Sequence, residues 1–195
     1  MRAKRSFSHI SATSTAVALA LSLFTAAHAA QRNGFSNIKI KNFGRINENY
    51  YRGAEPKQRD IADLAALGIK SVIDLQEEGE PREQGWVETA GMKFFRVGLS
   101  DSSTPSPDKA EQFLKLVNDP LNQPVYIHCH GGRHRAGAMT AIYRMTQDGW
   151  DADRAFAEMK SYDFDYGFGH GALKSFVYDF GTKPDLKGIV VSADK

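Results

Sequence analysis

Residues 128–137 read HCHGGRHRAG and are the most informative stretch of this 195-residue chain. A strand-like run from Val125 to His128 precedes the loop, and a helical pattern from Gly137 to Gln147 follows it. Cys129 and Arg135 enclose five residues, two of them glycines. A loop of this length can curl until its backbone N–H groups point inward, and the N-terminus of the following helix adds a positive potential. The stretch therefore predicts a strand–loop–helix unit that binds an oxyanion about the size of phosphate.

The side chains at the two ends of this loop suit chemistry on a bound anion. The planar guanidinium of Arg135 can bind two phosphate oxygens together, which a lysine could not do. The same positive field favours the thiolate over the thiol at Cys129, and the thiolate is the nucleophilic form. We therefore expect Cys129 to attack the anion while Arg135 holds it. The residues expected to line the anion site are His130, Gly131, Gly132, Arg133, His134 and Arg135.

Strands and helices alternate along the rest of the chain. Apolar runs predict strands at Ser71–Leu75 and Lys93–Leu99, and a short strand with Tyr50 and Tyr51 after an irregular segment. A helical turn is expected at 84–90, and helical spacing is found in 58–67, 108–117, 137–147, 153–159 and 172–180. This alternation predicts a single α/β domain in which helices flank a central, mostly parallel sheet.

The first 29 residues have the three parts of a secretory signal peptide. A basic start is followed by the apolar run Ala16–Ala27, and Ala27-His28-Ala29 has the small-x-small pattern of a cleavage site. The run is shorter than the roughly 20 residues of a spanning helix, so no stable membrane anchor is expected. We therefore predict cleavage after Ala29, a mature domain at 30–195, and a periplasmic or secreted location.

Composition and charge narrow the class of protein. Hydrophobic residues make up 42% and charged residues 25%, which is typical of a globular domain. The formal net charge of +2 is too small to suggest a nucleic-acid partner. A single cysteine allows neither an internal disulfide nor a zinc site made of cysteines alone. We expect a soluble monomer whose one thiol needs an explanation.

The run from His128 to Arg135 resembles the HCxxGxxR signature of the cysteine-dependent protein tyrosine and dual-specificity phosphatases. The histidine before Arg135 is similar to that of the compact atypical dual-specificity group of plants, fungi and bacteria. Two further segments match in the same order, YRGAEP at 51–56 and IKSVIDL at 69–75. The resemblance covers about residues 45–180 and implies a dual-specificity-phosphatase-like fold.

This resemblance also implies an activity. It implies hydrolysis of phosphate monoesters, such as phosphotyrosine and phosphoserine or phosphothreonine in proteins, through a phosphocysteine intermediate at Cys129. No metal or organic cofactor is implied, and the substrate would be a phosphorylated protein or a small phosphomonoester. Members of the atypical group include inositol-pyrophosphate phosphatases, so an inositol polyphosphate or pyrophosphate substrate is an open alternative.

A phosphatase also needs an acid that protonates the leaving oxygen. In the larger family this acid is the aspartate of a Trp-Pro-Asp loop, with a proline four residues further on. Asp101 and Pro105 keep that spacing here, although the Trp-Pro pair is absent. Asp101 is therefore the predicted acid and Asp108 the main alternative. The simpler interpretation is that Asp101 only caps a turn.

One position departs from the family pattern. The family usually has serine or threonine after the signature arginine, where the hydroxyl helps the thiolate leave the phosphocysteine. This chain has Ala136, so turnover is expected to be weakened rather than abolished, with water or His134 as a substitute. Ala136 also leaves open a different class of protein, a module that binds a phosphate ligand and has only vestigial activity.

Three other interpretations of Cys129 compete with a phosphatase nucleophile. A metal site built from His128, Cys129, His130 and His134 is disfavoured because neighbouring residues on a strand face opposite ways. We instead expect His128 to support the loop by a hydrogen bond. A sulfur-transfer (rhodanese-like) site fits the five-residue gap less well than phosphate. A buried core thiol would leave the adjacent glycines and arginines unexplained.

Overall fold

One mixed sheet of five strands organises the described part of the chain, which in this computed structural model is residue 35, residues 37–165, residue 167 and residues 169–182. The strands lie in the order β1-β2-β5-β3-β4. Their bounds are β1 (Gly44–Asn47), β2 (Tyr50–Ala54), β3 (Ser71–Gln76), β4 (Lys93–Leu99) and β5 (Val125–Cys129). The pairs β2–β5, β5–β3 and β3–β4 are parallel, and β1 is antiparallel to β2. The predicted single α/β domain with a mostly parallel sheet is confirmed.

Three of the described helices connect the parallel strands and three follow β5, as the periodicity predicts. Their bounds are α1 (Ile61–Ala66), α2 (Glu83–Thr89), α3 (Pro107–Asn118), α4 (Arg135–Gln147), α5 (Ala152–Ser161) and α6 (Gly171–Thr182). The predicted helix at 58–67 begins as a 3-10 turn, Gln58–Asp60, and ends where Gly68 takes a φ of 80°. Helix α4 begins two residues earlier than predicted, at Arg135, so the arginine of the loop belongs to the first turn of that helix.

Sequence reasoning missed strand β1. We expected an irregular segment before Tyr50, but Gly44–Asn47 pairs with β2 across a tight turn. In that turn the backbone N–H of Asn49 donates to the side-chain oxygen of Asn47 over 2.9 Å. Four residues with glycine at one end and asparagine at the other have weak strand propensity of their own. Pairing with β2 therefore makes this segment a strand.

The two faces of the sheet carry different layers. Ile127 and Cys129 of β5 lie on one face, in a buried apolar cluster with α3, α4, α5 and α6. Tyr126 and His128 alternate with them and point to the other face, where Glu83 of α2 contacts His128. The sheet therefore separates the thiol of Cys129 from the imidazole of His128, as the alternation along the strand predicts.

The parallel strands bring their carboxyl ends to one edge of the sheet. The segments that follow β2, β3, β4 and β5 all leave from this edge, which is where α/β proteins commonly bind ligands. The loop of residues 129–135 lies there, and so does the loop that carries Asp101.

Two expectations concern the ends of the chain and the membrane. The predicted signal peptide, residues 1–29, lies outside the described residues and stays a prediction. Within the ranges that the structure describes, every helix is too short or too polar to traverse a lipid bilayer.

Candidate active site

The backbone of the 129–135 loop is turned so that its carbonyls cannot face an anion. Each of the six consecutive carbonyls from Cys129 to His134 accepts a hydrogen bond from a protein donor. The donors, in order, are Gly132 N (3.2 Å), Glu55 N (3.4 Å), Asn42 Nδ2 (3.0 Å), Arg52 Nη2, Gly137 N (3.1 Å) and Ala138 N (2.9 Å).

Apart from the N–H of Gly132, backbone N–H groups of the same loop are left for a ligand. Those of Gly131, Arg133 and His134 have no acceptor among the described residues. Helix α4 begins directly after them, and its N-terminus carries a partial positive charge. Backbone donors without acceptors beside a helix N-terminus form a site for an oxyanion. The loop geometry therefore suits the phosphate that the sequence predicts here.

Gly132 fits where no other residue could. Its φ is 65°, and a Cβ at this position would lie 2.4 Å from the carbonyl carbon of Gly53 and 2.5 Å from the nitrogen of Ala54. Both atoms are backbone, so neither can rotate away. The loop therefore packs directly against the backbone at the end of β2, and this contact fixes the distance between the loop and the sheet.

Cys129 is the last residue of β5 and is only 2% exposed. Its register partner on β2 is Ala54, so the thiol sits at the carboxyl edge of the central strands. Arg135, at the start of α4, donates from Nη1 to the carbonyl of Leu99 over 3.2 Å. The Nε of Arg135 is buried and has no partner among the described residues. Part of this guanidinium is therefore free to bind a ligand.

Asp101 is linked to Arg135 through the backbone of Leu99. It is exposed, and it follows by two residues the Leu99 carbonyl that Arg135 holds. The far side of the Asp101 loop lies beside Gly169, because a Cβ on Gly169 would be 3.9 Å from that of Ser102. The competing Asp108 lies in the first turn of α3 and is also exposed. The choice of Asp101 as the acid stays a prediction that the contacts of Leu99 favour.

His134 packs against a second histidine. Its ring centroid is 3.5 Å from that of His170 and 5.4 Å from that of Phe164. Burial lowers the pKa of His134 to about 4, and the charges of His170 and Arg133 act in the same direction. The ring is therefore neutral near neutral pH. His130 and Arg133, by contrast, are exposed at the rim of the loop.

His128 supports the strand from the opposite face. It is fully buried, with Nε2 at 2.8 Å from Oε1 of Glu83 and Nδ1 at 3.9 Å from Oδ1 of Asp74. Burial alone would lower the pKa of His128, but contact with Glu83 and the charges of Asp74 and Glu55 outweigh it, so the pKa is raised. The contact with Glu83 therefore favours the charged form of the imidazole. This partner differs from the prediction, since His128 contacts α2 rather than the loop itself.

Several residues of the site could not be identified as such from the sequence. Asn42 and Glu83 lie in segments without any motif, and only the fold brings them to the loop and to His128. Arg52 and Glu55 belong to the YRGAEP segment, which indicated family membership but not their contacts with the loop. Among the described residues, no three side chains of His, Cys, Asp or Glu converge in a way that would hold a metal ion.

A comparison with protein families agrees with this geometry. The family model described as "DSP-PTPase phosphatase fused to NAD+ Kinase" matches residues 31–174. The chain belongs to this family. A DSP-PTPase phosphatase is what the loop signature and the fold had both indicated.

This chain is similar to proteins named as inositol diphosphatases and to proteins named as tyrosine-protein phosphatases. It is 30% identical over 133 residues to the inositol diphosphatase SIW14 of Saccharomyces cerevisiae, an alignment that covers 65% of this chain and 47% of that one. The chain thus spans about half the length of that curated relative.

Solved structures show the same fold. The core catalytic domain of the PP-IP phosphatase SIW14 from S. cerevisiae, in complex with citrate, matches with a TM-score of 0.66 and 26% identity, covering 77% of this chain and 91% of that one. TpbA of P. aeruginosa in complex with pTyr matches with a TM-score of 0.63 and 22% identity, covering 76% and 88%.

Replacing Gly132 with alanine is expected to damage the loop more than the backbone conformation alone explains. Gly149 is the matched control, since its φ is 66° but a Cβ there meets nothing within 4 Å. Both variants should lose about 1–2 kcal/mol for the left-handed conformation. Gly132→Ala should lose about 1–3 kcal/mol more from overpacking against β2, and should no longer bind inorganic phosphate. Urea unfolding and calorimetric titration measure the two effects; equal losses in the two variants would contradict the close approach.

Glu83→Gln is expected to lower the free energy of unfolding in a pH-dependent way. Because the pKa of His128 is raised by folding, its stabilisation is complete below the ordinary value of about 6.5 and fades as the pH rises through the raised value. Below about pH 6.5 the variant should lose about 1–3 kcal/mol, the cost of a buried group without its partner. The gap to wild type should narrow at higher pH.

Urea unfolding at a series of pH values measures this gap. Glu88→Gln, an exposed change on the same helix, is the control and should leave the pH dependence unaltered. A gap for Glu83→Gln that stays constant with pH would mean that His128 is not charged by its contact with Glu83.

Proposed function

We propose that this chain is an exported phosphatase that hydrolyses phosphate monoesters through a phosphocysteine at Cys129. The observation that supports it most strongly is the loop in which six carbonyls are bonded outward while N–H groups remain without acceptors. Such a loop binds the oxygens of a phosphoryl group and places a cysteine beneath it. Export rests on the sequence pattern of residues 1–29.

The proposed reaction has two steps. The thiolate of Cys129 attacks phosphorus, the ester P–O bond breaks, and Asp101 gives its proton to the leaving oxygen. Water then attacks the phosphocysteine, Asp101 takes a proton from that water, and the S–P bond breaks to return the thiolate and inorganic phosphate. Arg135 and the loop N–H groups hold the non-bridging oxygens throughout, so their part is positioning and neutralisation of charge. Because Ala136 has no hydroxyl, the second step should limit turnover.

The roles of Cys129 and Asp101 can be separated with aryl phosphates of different leaving groups. Cys129→Ser should abolish hydrolysis of p-nitrophenyl phosphate without loss of the fold. Asp101→Asn should lower kcat/KM for phenyl phosphate by about 10²–10⁴-fold, the usual contribution of a general acid, and kcat/KM for p-nitrophenyl phosphate much less. Asp108→Asn is the matched control and should leave both rates unchanged. Steady-state kinetics and circular dichroism provide the readouts.

Three outcomes would decide against this scheme. Undiminished turnover in Cys129→Ser would mean that Cys129 is not the nucleophile. Equal losses of kcat/KM for both leaving groups in Asp101→Asn would mean that another group is the acid. A single burst of product equal to the enzyme concentration, which Ala136→Ser converts to steady turnover, would favour the binding module with vestigial activity.

A second candidate substrate class is a polyphosphorylated small molecule such as an inositol polyphosphate or pyrophosphate. A cavity of about 680 Å³ adjoins the loop at His130. Five cationic side chains and three carboxylates line it, so its formal charge is positive even with His130 neutral. The cationic residues are Lys39, Lys41, Lys57, Arg59 and Arg82. Clustered cations beside a phosphate loop favour a substrate that carries several phosphates.

Neutralising this cavity is expected to change substrate preference. The double variant Lys41→Gln/Lys57→Gln should lower kcat/KM for an inositol polyphosphate by about 10-fold or more, since each lost cation weakens attraction for a polyanion. Its kcat/KM for p-nitrophenyl phosphate should not change. Lys70→Gln, an exposed change just before β3 and away from the carboxyl edge, is the control. Equal effects on the two substrates would argue for a phosphotyrosine-type site that does not use this cavity.

A further inference from the structure

Arg52 is a fully buried arginine beneath the 129–135 loop. It lies on β2, where it is the register partner of Ile127, and two residues further along Ala54 is the partner of Cys129. Paired residues of parallel strands point to the same face, so Arg52 and Cys129 share the face that α4 covers. The guanidinium is therefore on the thiol's side of the sheet.

The contacts of Arg52 leave its charge without a counterion. Its Nη2 donates to the carbonyl of Gly132, and its guanidinium carbon lies 4.1 Å from the ring centroid of Tyr162. Its Nε and Nη1 are buried without hydrogen-bond partners among the described residues. Among these residues no carboxylate lies within ion-pairing distance of Arg52.

Arg144, the other buried arginine among the described residues, shows what a purely structural role looks like. Arg144 binds both carboxylate oxygens of Glu158, at 2.8 and 3.2 Å, and Asp148 at 2.6 Å. Two carboxylates therefore neutralise Arg144, as is usual for a buried charge. Arg52 is even more deeply buried, at 0% exposed against 8% for Arg144, and lacks that compensation. An arginine cannot give up its proton to escape the cost, so its charge persists in the folded protein.

We propose that Arg52 is a positioning residue whose uncompensated charge is balanced by the anions of the loop, first the Cys129 thiolate and then the bound phosphate. Its Nη2 turns the Gly132 carbonyl away from the site, and its charge favours the ionised nucleophile from below. Arg135 holds the phosphate from the other end of the loop. The inference rests on the proposed function for the purpose of Arg52. The effect of the Arg52 charge on ionisation of the Cys129 thiol does not depend on that function.

Several other ionisable groups surround this end of β5. They are Tyr126 and His128 on the far face of the sheet, His130, Arg133, His134 and Arg135 in the loop, Asp101 in the facing loop, and Tyr50, Tyr162 and the Arg144-bound Glu158 in the helical layer. Tyr50 and Tyr126 respond to the charge of Arg52, but burial raises the pKa of both, so each stays neutral where the thiol ionises. A shifted alkylation profile in Arg52→Gln therefore reports the effect of the Arg52 charge on Cys129.

The test measures the reaction of Cys129 with iodoacetamide as a function of pH. Cys129 is the single cysteine of the chain, so alkylation reports it alone. Arg52→Gln keeps a donor for Gly132 and removes the charge, whereas Arg52→Lys keeps the charge. Arg52→Gln should move the pH of half-maximal alkylation upward by about one unit or more, the effect of losing a nearby opposite charge. Arg52→Lys should stay near wild type. Arg52→Gln should also weaken protection by inorganic phosphate.

Arg144→Gln is the matched control, because it removes a buried arginine of structural role. It should lower the melting temperature without moving the alkylation profile. Since the charge of Arg52 has no carboxylate partner, Arg52→Gln is expected to fold, and Arg52→Met is the substitute if it does not. Failure of both neutral variants to fold would overturn the proposal, as would a wild-type profile in a folded neutral variant. Equal shifts in the Gln and Lys variants would do so too.

This experiment separates the two proposals. Alkylation needs no turnover, so a wild-type chain that hydrolyses no phosphate monoester could still display the Arg52-dependent shift. In that case the proposed function fails and the role of Arg52 stands. Normal hydrolysis without a shift of the alkylation profile in Arg52→Gln would mean that the proposed function stands and the role of Arg52 fails.

Discussion

The site depends on one constraint, that a loop which binds an anion must not present a carbonyl to it. Six carbonyls in succession meet this constraint here because each has its own donor. Only two of those donors, Gly137 and Ala138, are supplied by the start of α4. The others come from a turn within the loop (Gly132) and from residues before, within and after β2 (Asn42, Arg52 and Glu55). The anion site is therefore a product of strand pairing as much as of the loop.

Strand β2 and the residue after it are therefore constrained in the side chains that they can carry. Gly53 must lack a side chain because the hydroxyl of Tyr126 is 2.4 Å from where its Cβ would be. Arg52 and Glu55, on either side, hold two loop carbonyls. The Tyr126 hydroxyl in turn donates to the Ala54 carbonyl over 2.6 Å. The YRGAEP segment at 51–56 therefore forms one side of the anion site, although it is far from the loop in the sequence.

How much of this could be predicted from the sequence follows from how local each relation is. Cys129, Gly132 and Arg135 lie within seven residues of one another, so their spacing alone indicated an anion loop between a strand and a helix. The helices and the parallel strands carry apolar periodicity and were also predictable. Asn42 and Arg52 meet the loop across 89 and 80 residues, and no local pattern encodes such a meeting. The same holds for Glu83, whose burial against His128 depends on how α2 packs.

These long separations also bear on how the molecule folds. Contacts between residues 80 or more positions apart close large loops of chain, and such contacts form more slowly than a helix or a turn. A partly folded chain can contain β5 and α4 while the carbonyls of His130, Gly131 and Gly132, whose donors are Glu55, Asn42 and Arg52, are still unbonded. The chain's single thiol is then an ordinary cysteine. The thiol acquires the surroundings of the anion site only when the β1–β2 hairpin is complete, so the site forms at that step of folding.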